Sequence, residues 1–123
     1  HLDKRKLTDN TLVIFCNDNG WITPTVPEDK KSPFGADRAK RSPYDGGIRT
    51  PFVLKWPNHT RPGRYNDLVL TIDFAPTILR ACNIKVPEPM QGVDLMQPAS
   101  GRGRLKRDAI FGEIYVHTST NLK

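Results

Sequence analysis

Apolar positions along the chain gather into a few short runs separated by long polar stretches. The first run, Leu12-Val13-Ile14-Phe15-Cys16, follows a turn-prone Asp9-Asn10 and is rich in β-branched and aromatic residues. Five successive apolar residues predict a strand buried on both faces, the kind found in parallel, helix-covered sheets. From Asn17 to Gly47 no periodicity is sustained, and prolines at 24, 27, 33 and 43 interrupt the charges. This stretch reads as one long loop. Structureless loops beyond about 15 residues are unusual in compact domains and tend to carry function.

A second strand is predicted over Thr50-Pro51-Phe52-Val53-Leu54-Lys55-Trp56, with Pro51 near its start, where a missing donor is tolerated, and Pro57 ending it. The sequence Asp73-Phe74-Ala75-Pro76-Thr77-Ile78-Leu79-Arg80-Ala81-Cys82-Asn83 carries the best-marked helix. Asp73 suits the N-cap and Pro76 the first turn; Phe74, Ile78, Leu79 and Cys82 share a face. Arg80 complements the carbonyl end, and Asn83 can close the helix in a left-handed conformation. Residues 84–107 read as irregular, and Ala109-Ile110-Phe111-Gly112-Glu113-Ile114-Tyr115-Val116 as a third strand. Doubly buried strands need a layer on each face, and one clear helix cannot supply both. The expected fold class is therefore α/β, with this chain part of a larger domain.

Composition narrows the picture. The 123 residues allow at most one modest domain, and 11 Pro with 9 Gly make the chain loop-rich. No apolar run reaches the roughly 18 residues of a membrane-spanning helix, and the opening His1-Leu2-Asp3-Lys4-Arg5 lacks the apolar centre of a signal peptide. Cys16 and Cys82 are too few for a disulfide framework and lie in apolar segments, so core packing is expected of both. The formal charge is +6, and the densest basic cluster, Arg102-Gly103-Arg104-Leu105-Lys106-Arg107, reads as a solvated loop.

Two segments could carry chemistry. Asp18-Asn19-Gly20 emerges at the carboxyl end of the first predicted strand, where ligands collect in α/β sheets. A carboxylate beside an amide oxygen offers two hard donors suited to calcium, provided the backbone turns so that both meet one ion, as Gly20 permits. Asn-Gly is also a hairpin signal, although Trp21-Ile22-Thr23-Pro24 makes a poor returning strand. The second segment is Lys40-Arg41-Ser42-Pro43-Tyr44-Asp45-Gly46-Gly47-Ile48-Arg49. Its paired glycines allow close backbone approach, and its cations suit an oxyanion such as sulfate or phosphate. An exposed basic loop is the plainer alternative. The spacing is not that of a P-loop.

Taken in order, the strand leading to Asp18-Asn19-Gly20, Lys40 ahead of Tyr44-Asp45-Gly46-Gly47-Ile48-Arg49-Thr50-Pro51-Phe52, then Trp56-Pro57, Asp73-Phe74-Ala75-Pro76-Thr77-Ile78-Leu79 and Gln91-Gly92-Val93-Asp94-Leu95 resemble the type I sulfatases of the alkaline-phosphatase-like superfamily. The resemblance implies a partial alkaline-phosphatase-like fold: strands of a central sheet, covering helices and long active-site loops. Residues 1–123 would be part of one catalytic domain, incomplete at the N-terminal side and at the C-terminal end. It further implies hydrolysis of sulfate monoesters by a formylglycine and a calcium ion, acting on a sulfated small molecule or glycan in a periplasmic, secreted or lysosomal setting.

By motif match, Asp18 and Asn19 would be calcium ligands and Lys40 would contact the sulfate. Gly46 and Gly47 would be shape residues, and Arg49 an orienting group. The family usually has Glu at the position of Asp45 and Ser at that of Asn17. Neither cysteine, nor any serine, is followed by Pro two residues on and Arg four on, so the formylglycine is not in this chain and is expected upstream. His59 and His117 read as surface residues. Asn58-His59-Thr60 fits the N-glycosylation pattern, which matters only in a secreted eukaryotic protein. Two other functions remain open: phosphonate or phosphodiester hydrolysis on the same scaffold, and non-catalytic polyanion binding through Arg102–Arg107.

Overall fold

The computed structural model describes residues 1–22, 38–40 and 42–112. Strand β1 is Val13–Cys16 and β2 is Phe52–Lys55, and the two hydrogen-bond as a two-stranded sheet. Asp9, before β1, accepts from the Trp56 indole after β2 at 3.0 Å, while Asn17, after β1, exchanges bonds with Thr50, before β2. The strands therefore run in opposite directions, not in parallel as their apolar runs predict. Nor is β1 buried on both faces. Val13 and Phe15 are exposed while Ile14 and Cys16 are half-buried, and β2 alternates in the same way. An antiparallel pair can stand with one face uncovered, and a continuous apolar run does not by itself reveal which face is covered.

The chain divides into two compact units, one of His1–Ile14 with Val53–Ile110 and another containing Phe15–Phe52. The first is organised around helix α2, Phe74–Ala81, which a single 3₁₀ turn, Thr71–Asp73, leads into. Pro76 sits in the first turn, and Asn83, with φ 57°, follows the helix in the left-handed conformation that its short polar side chain tolerates.

Asp73 holds the N-cap position of α2 but does not cap that helix with its side chain. Its backbone is already helical and its carboxylate makes no cap bond. It accepts instead from the N–H groups of Leu70 (2.8 Å) and Val93 (2.9 Å) and from both arms of Arg107 (2.7 and 2.8 Å). Four donors outside the helix outcompete the local cap. The buried face of α2 is correspondingly Pro76 and Thr77, not Phe74, Ile78, Leu79 and Cys82, of which Ile78 and Cys82 are exposed. Neither cysteine is a core residue, Cys16 being half-buried.

Thr77 completes the knot: its hydroxyl donates to the Asp73 carbonyl at 2.6 Å and accepts from the Leu95 N–H at 2.9 Å. The segment Gly92–Leu95 is thereby strapped across the start of α2. A short helix α3, Met96–Ala99, follows it within the stretch that reads as irregular. Pro98 hides this helix in the sequence, yet within a four-residue helix its missing N–H costs nothing. Arg107, 14% exposed, is committed to the fully buried Asp73, so the basic cluster is only partly a solvated loop. Ala109–Gly112 form no strand and Phe111 is open to solvent, while residues 113–116 of the predicted third strand lie outside the described residues.

Candidate functional site

In the second unit, a bend at Asp18–Gly20 is bound by main-chain bonds to the short helix α1, Asp45–Ile48. Gly20 N–H donates to the Gly47 carbonyl at 3.0 Å, and Trp21 N–H to the Gly46 carbonyl at 2.7 Å. The Lys40 N–H donates in turn to the Trp21 carbonyl at 2.7 Å. The acceptors of the Gly20 and Trp21 N–H groups thus lie at 46–47, and among the described residues no hairpin pairing closes at Asn19-Gly20. Gly20 and Gly47 are dictated by proximity. A Cβ on Gly20 would fall 2.6 Å from the Gly47 carbonyl carbon, and one on Gly47 would fall 2.7 Å from the Ser42 hydroxyl. Two glycines make Asp45–Ile48 a poor helix in isolation, so its turn is held by this docking and by the Gly47, Ile48 and Arg49 N–H bonds back to Tyr44 and Asp45.

Beside this junction lies an open depression of about 560 Å³, lined by Asn17 to Ile22 and by Asp45, Gly46, Arg49 and Pro51. Asp18 is exposed on its wall. Asn19, half-buried, donates its amide N–H to the Gly20 carbonyl at 2.9 Å, which orients the side chain. Lys40 is exposed; its backbone is tied to the cavity wall through Trp21, and it is not itself a lining residue. Arg49 pairs with Asp45 at 3.4 Å, an exposed i, i+4 contact of the kind that contributes little to stability. Arg38 lies 4.9 Å from the centre of the Tyr44 ring, a cation–π contact flanking the Lys40 segment.

The donor set suits a hard cation as far as it goes. Asp18 and Asn19 offer two oxygens where calcium takes six to eight, and among the described residues no group of three His, Cys, Asp or Glu could hold a metal. His59 is exposed and stacks on Trp56 at 3.8 Å, in the other unit; His117 lies outside the described residues. Two features escape the sequence reading. Trp21 lines the cavity, its only signal being its place directly after Gly20. The Ser42 hydroxyl is buried with no hydrogen-bond partner among the described residues, and nothing in a Ser-Pro dipeptide foretells that. No helix among the described residues is long and apolar enough to cross a membrane.

Comparison with known proteins gives a consistent result. Residues 37–122 match the sequence family described as N-sulphoglucosamine sulphohydrolase, C-terminal. The chain is 34% identical over 107 residues to arylsulfatase A of Homo sapiens, a match covering 85% of this chain and 21% of that protein. It is 33% identical over 95 residues to N-acetylgalactosamine-6-O-sulfatase of Bacteroides thetaiotaomicron, covering 71% of this chain and 19% of that one. A solved structure from work on glycosaminoglycan metabolism by Bacteroides thetaiotaomicron superposes with a TM-score of 0.64 at 26% identity, covering 86% of this chain and 24% of the other. The chain spans about a fifth of the length of these relatives.

Proposed function

This chain belongs to the sulfatase family, and from that membership we propose that its protein hydrolyses sulfate monoesters, with Asp18, Asn19 and Lys40 in the active site. The observation that carries the reading is the run of main-chain bonds from Lys40 through Trp21 and Gly20 to Gly46 and Gly47. These bonds bring together two segments widely separated in sequence, one bearing an acid and an amide, the other an amine. The relatives named arylsulfatase A and N-acetylgalactosamine-6-O-sulfatase supply the substrate class.

In this reading Asp18 and Asn19 supply two of the oxygens that hold a calcium ion, the rest coming from outside this chain. When bound, such an ion would supply positive charge that stabilises a sulfate ester. Lys40 presents an ammonium to the same anion and stabilises charge that builds as the S–O bond to the leaving alcohol breaks. A donor held in place before reaction loses little in reorganisation, and anchoring of the Lys40 backbone to Trp21 serves that end. The nucleophile, a formylglycine, would come from a part of the protein beyond these residues, since no Cys or Ser here has the required spacing.

Phosphodiester or phosphonate hydrolysis is the neighbouring reaction. The test compares turnover of 4-nitrophenyl sulfate with that of an aryl phosphodiester by the complete protein, before and after chelation. The sulfate should be preferred, chelation should abolish turnover, and added calcium should restore it. Preference for the phosphodiester would reassign the reaction. Polyanion binding through Arg102–Arg107 is disfavoured by the commitment of Arg107 to Asp73.

A further inference from the structure

We propose that Trp21 is the platform on which the sugar ring of a sulfated substrate stacks, an inference that rests on the sulfate-ester reading above. Trp21 lines the same depression as Asp18 and Asn19, and half of it, 50%, is open to solvent. Its backbone is fixed on both sides, the N–H on the Gly46 carbonyl and the carbonyl on the Lys40 N–H, each at 2.7 Å. The indole is therefore a large apolar surface on a rigid mount, next to the residues that would hold the ion and the sulfate.

A hydrated sulfate has no use for an indole face, so what the face can recognise is the organic remainder of the ester. Ile22, more exposed still, and Pro51 extend the apolar wall. Asp45 and Arg49, an acid and a guanidinium on the same depression, add hydrogen-bonding groups of both kinds. An aromatic face together with an acceptor and a forked donor matches a pyranose: its C–H face packs on the ring and its hydroxyls bond the charged pair. A simple aryl or alkyl ester would bring no hydroxyls to the Asp45–Arg49 pair. This chain carries two tryptophans, Trp21 and Trp56, and the emission that the complete protein loses in Trp21→Phe reports the indole at 21.

The experiment uses the complete protein and three probes: N-acetylgalactosamine 6-sulfate, 4-nitrophenyl sulfate and methyl sulfate. Trp21→Ala should raise KM for the sugar sulfate about tenfold, the order of one lost stacking contact, with kcat within twofold and a distinctly smaller rise in KM for methyl sulfate. Trp21→Phe should recover most of the loss. An equal fall for all three probes would mark a structural role and overturn the proposal, as would an unchanged KM for the sugar sulfate. A larger loss for 4-nitrophenyl sulfate than for the sugar would overturn the choice of ligand. Independently, the sugar sulfate should saturably quench the emission of the complete protein, and Trp21→Phe should remove that quenching. Quenching without hydrolysis of any probe would refute the sulfate-ester reading and leave the sugar platform standing; hydrolysis without quenching would do the reverse.

Discussion

At Asp73 a carboxylate with no solvent exposure collects two backbone N–H groups and a two-armed arginine. Burial by itself would raise its pKa, but the Arg107 pair and the Leu70 and Val93 N–H groups outweigh it, and the carboxyl sits below the ordinary aspartate value. Asp73→Asn would leave Arg107 and one or more N–H groups unmatched. It should destabilise the fold by on the order of 3–5 kcal/mol, read by denaturant titration. Because the folded pKa is the lower one, the unfolded chain binds more protons in between. The stabilisation is then complete above about pH 4 and lost as pH falls through the folded value. The thermal midpoint should drop steeply below pH 4 in the parent and more shallowly in Asp73→Asn.

The sequence marks Asp73 as a helix-start residue and gets the place right and the partners wrong. A cap can be read from neighbours in the chain, whereas bonds to Val93 and Arg107 depend on how distant segments meet. Gly20 illustrates the same limit. Its value as a turn former is legible, yet φ is positive only at Gly101 among the described glycines; what requires glycine at 20 is the carbonyl of Gly47 pressed against it.

Elements were legible where one short-range signal dominates. Pro76 and Asn83 frame α2, and the β-branched runs locate β1 and β2 to within a few residues. Direction and burial of the strands were not legible, because an apolar run looks the same in either orientation. Helix α1, with its two glycines, exists through its contact with the Asp18–Gly20 bend. Gly47→Ala should therefore act on the site as well as on the helix. Overpacking against Ser42 and Ala39 costs about 1–3 kcal/mol, and the shift should separate the bend from the Lys40 segment. The expected outcome is a lowered thermal midpoint together with a fall in kcat for 4-nitrophenyl sulfate. Gly103→Ala, where an added Cβ meets nothing within 4 Å, should change neither.

On the scale of the whole molecule, the matched part of this chain covers about a fifth of its relatives' length, and in the proposed reading it contributes one wall of a site. The order of the motifs was enough to suggest the family, since Asp18-Asn19-Gly20, Lys40, Gly46-Gly47, Asp73 and Gly92 are the places where segments meet, and such meetings tolerate few residue types. The central claim is that Asp18 and Lys40 act on one sulfate ester. The most direct measurement is kcat/KM for 4-nitrophenyl sulfate in the complete protein and in its Asp18→Ala and Lys40→Ala variants, with thermal midpoints taken alongside. The fold should stay intact in both, with turnover abolished in the first variant and lowered about a hundred- to a thousandfold in the second. Near-normal turnover in either folded variant would contradict that claim.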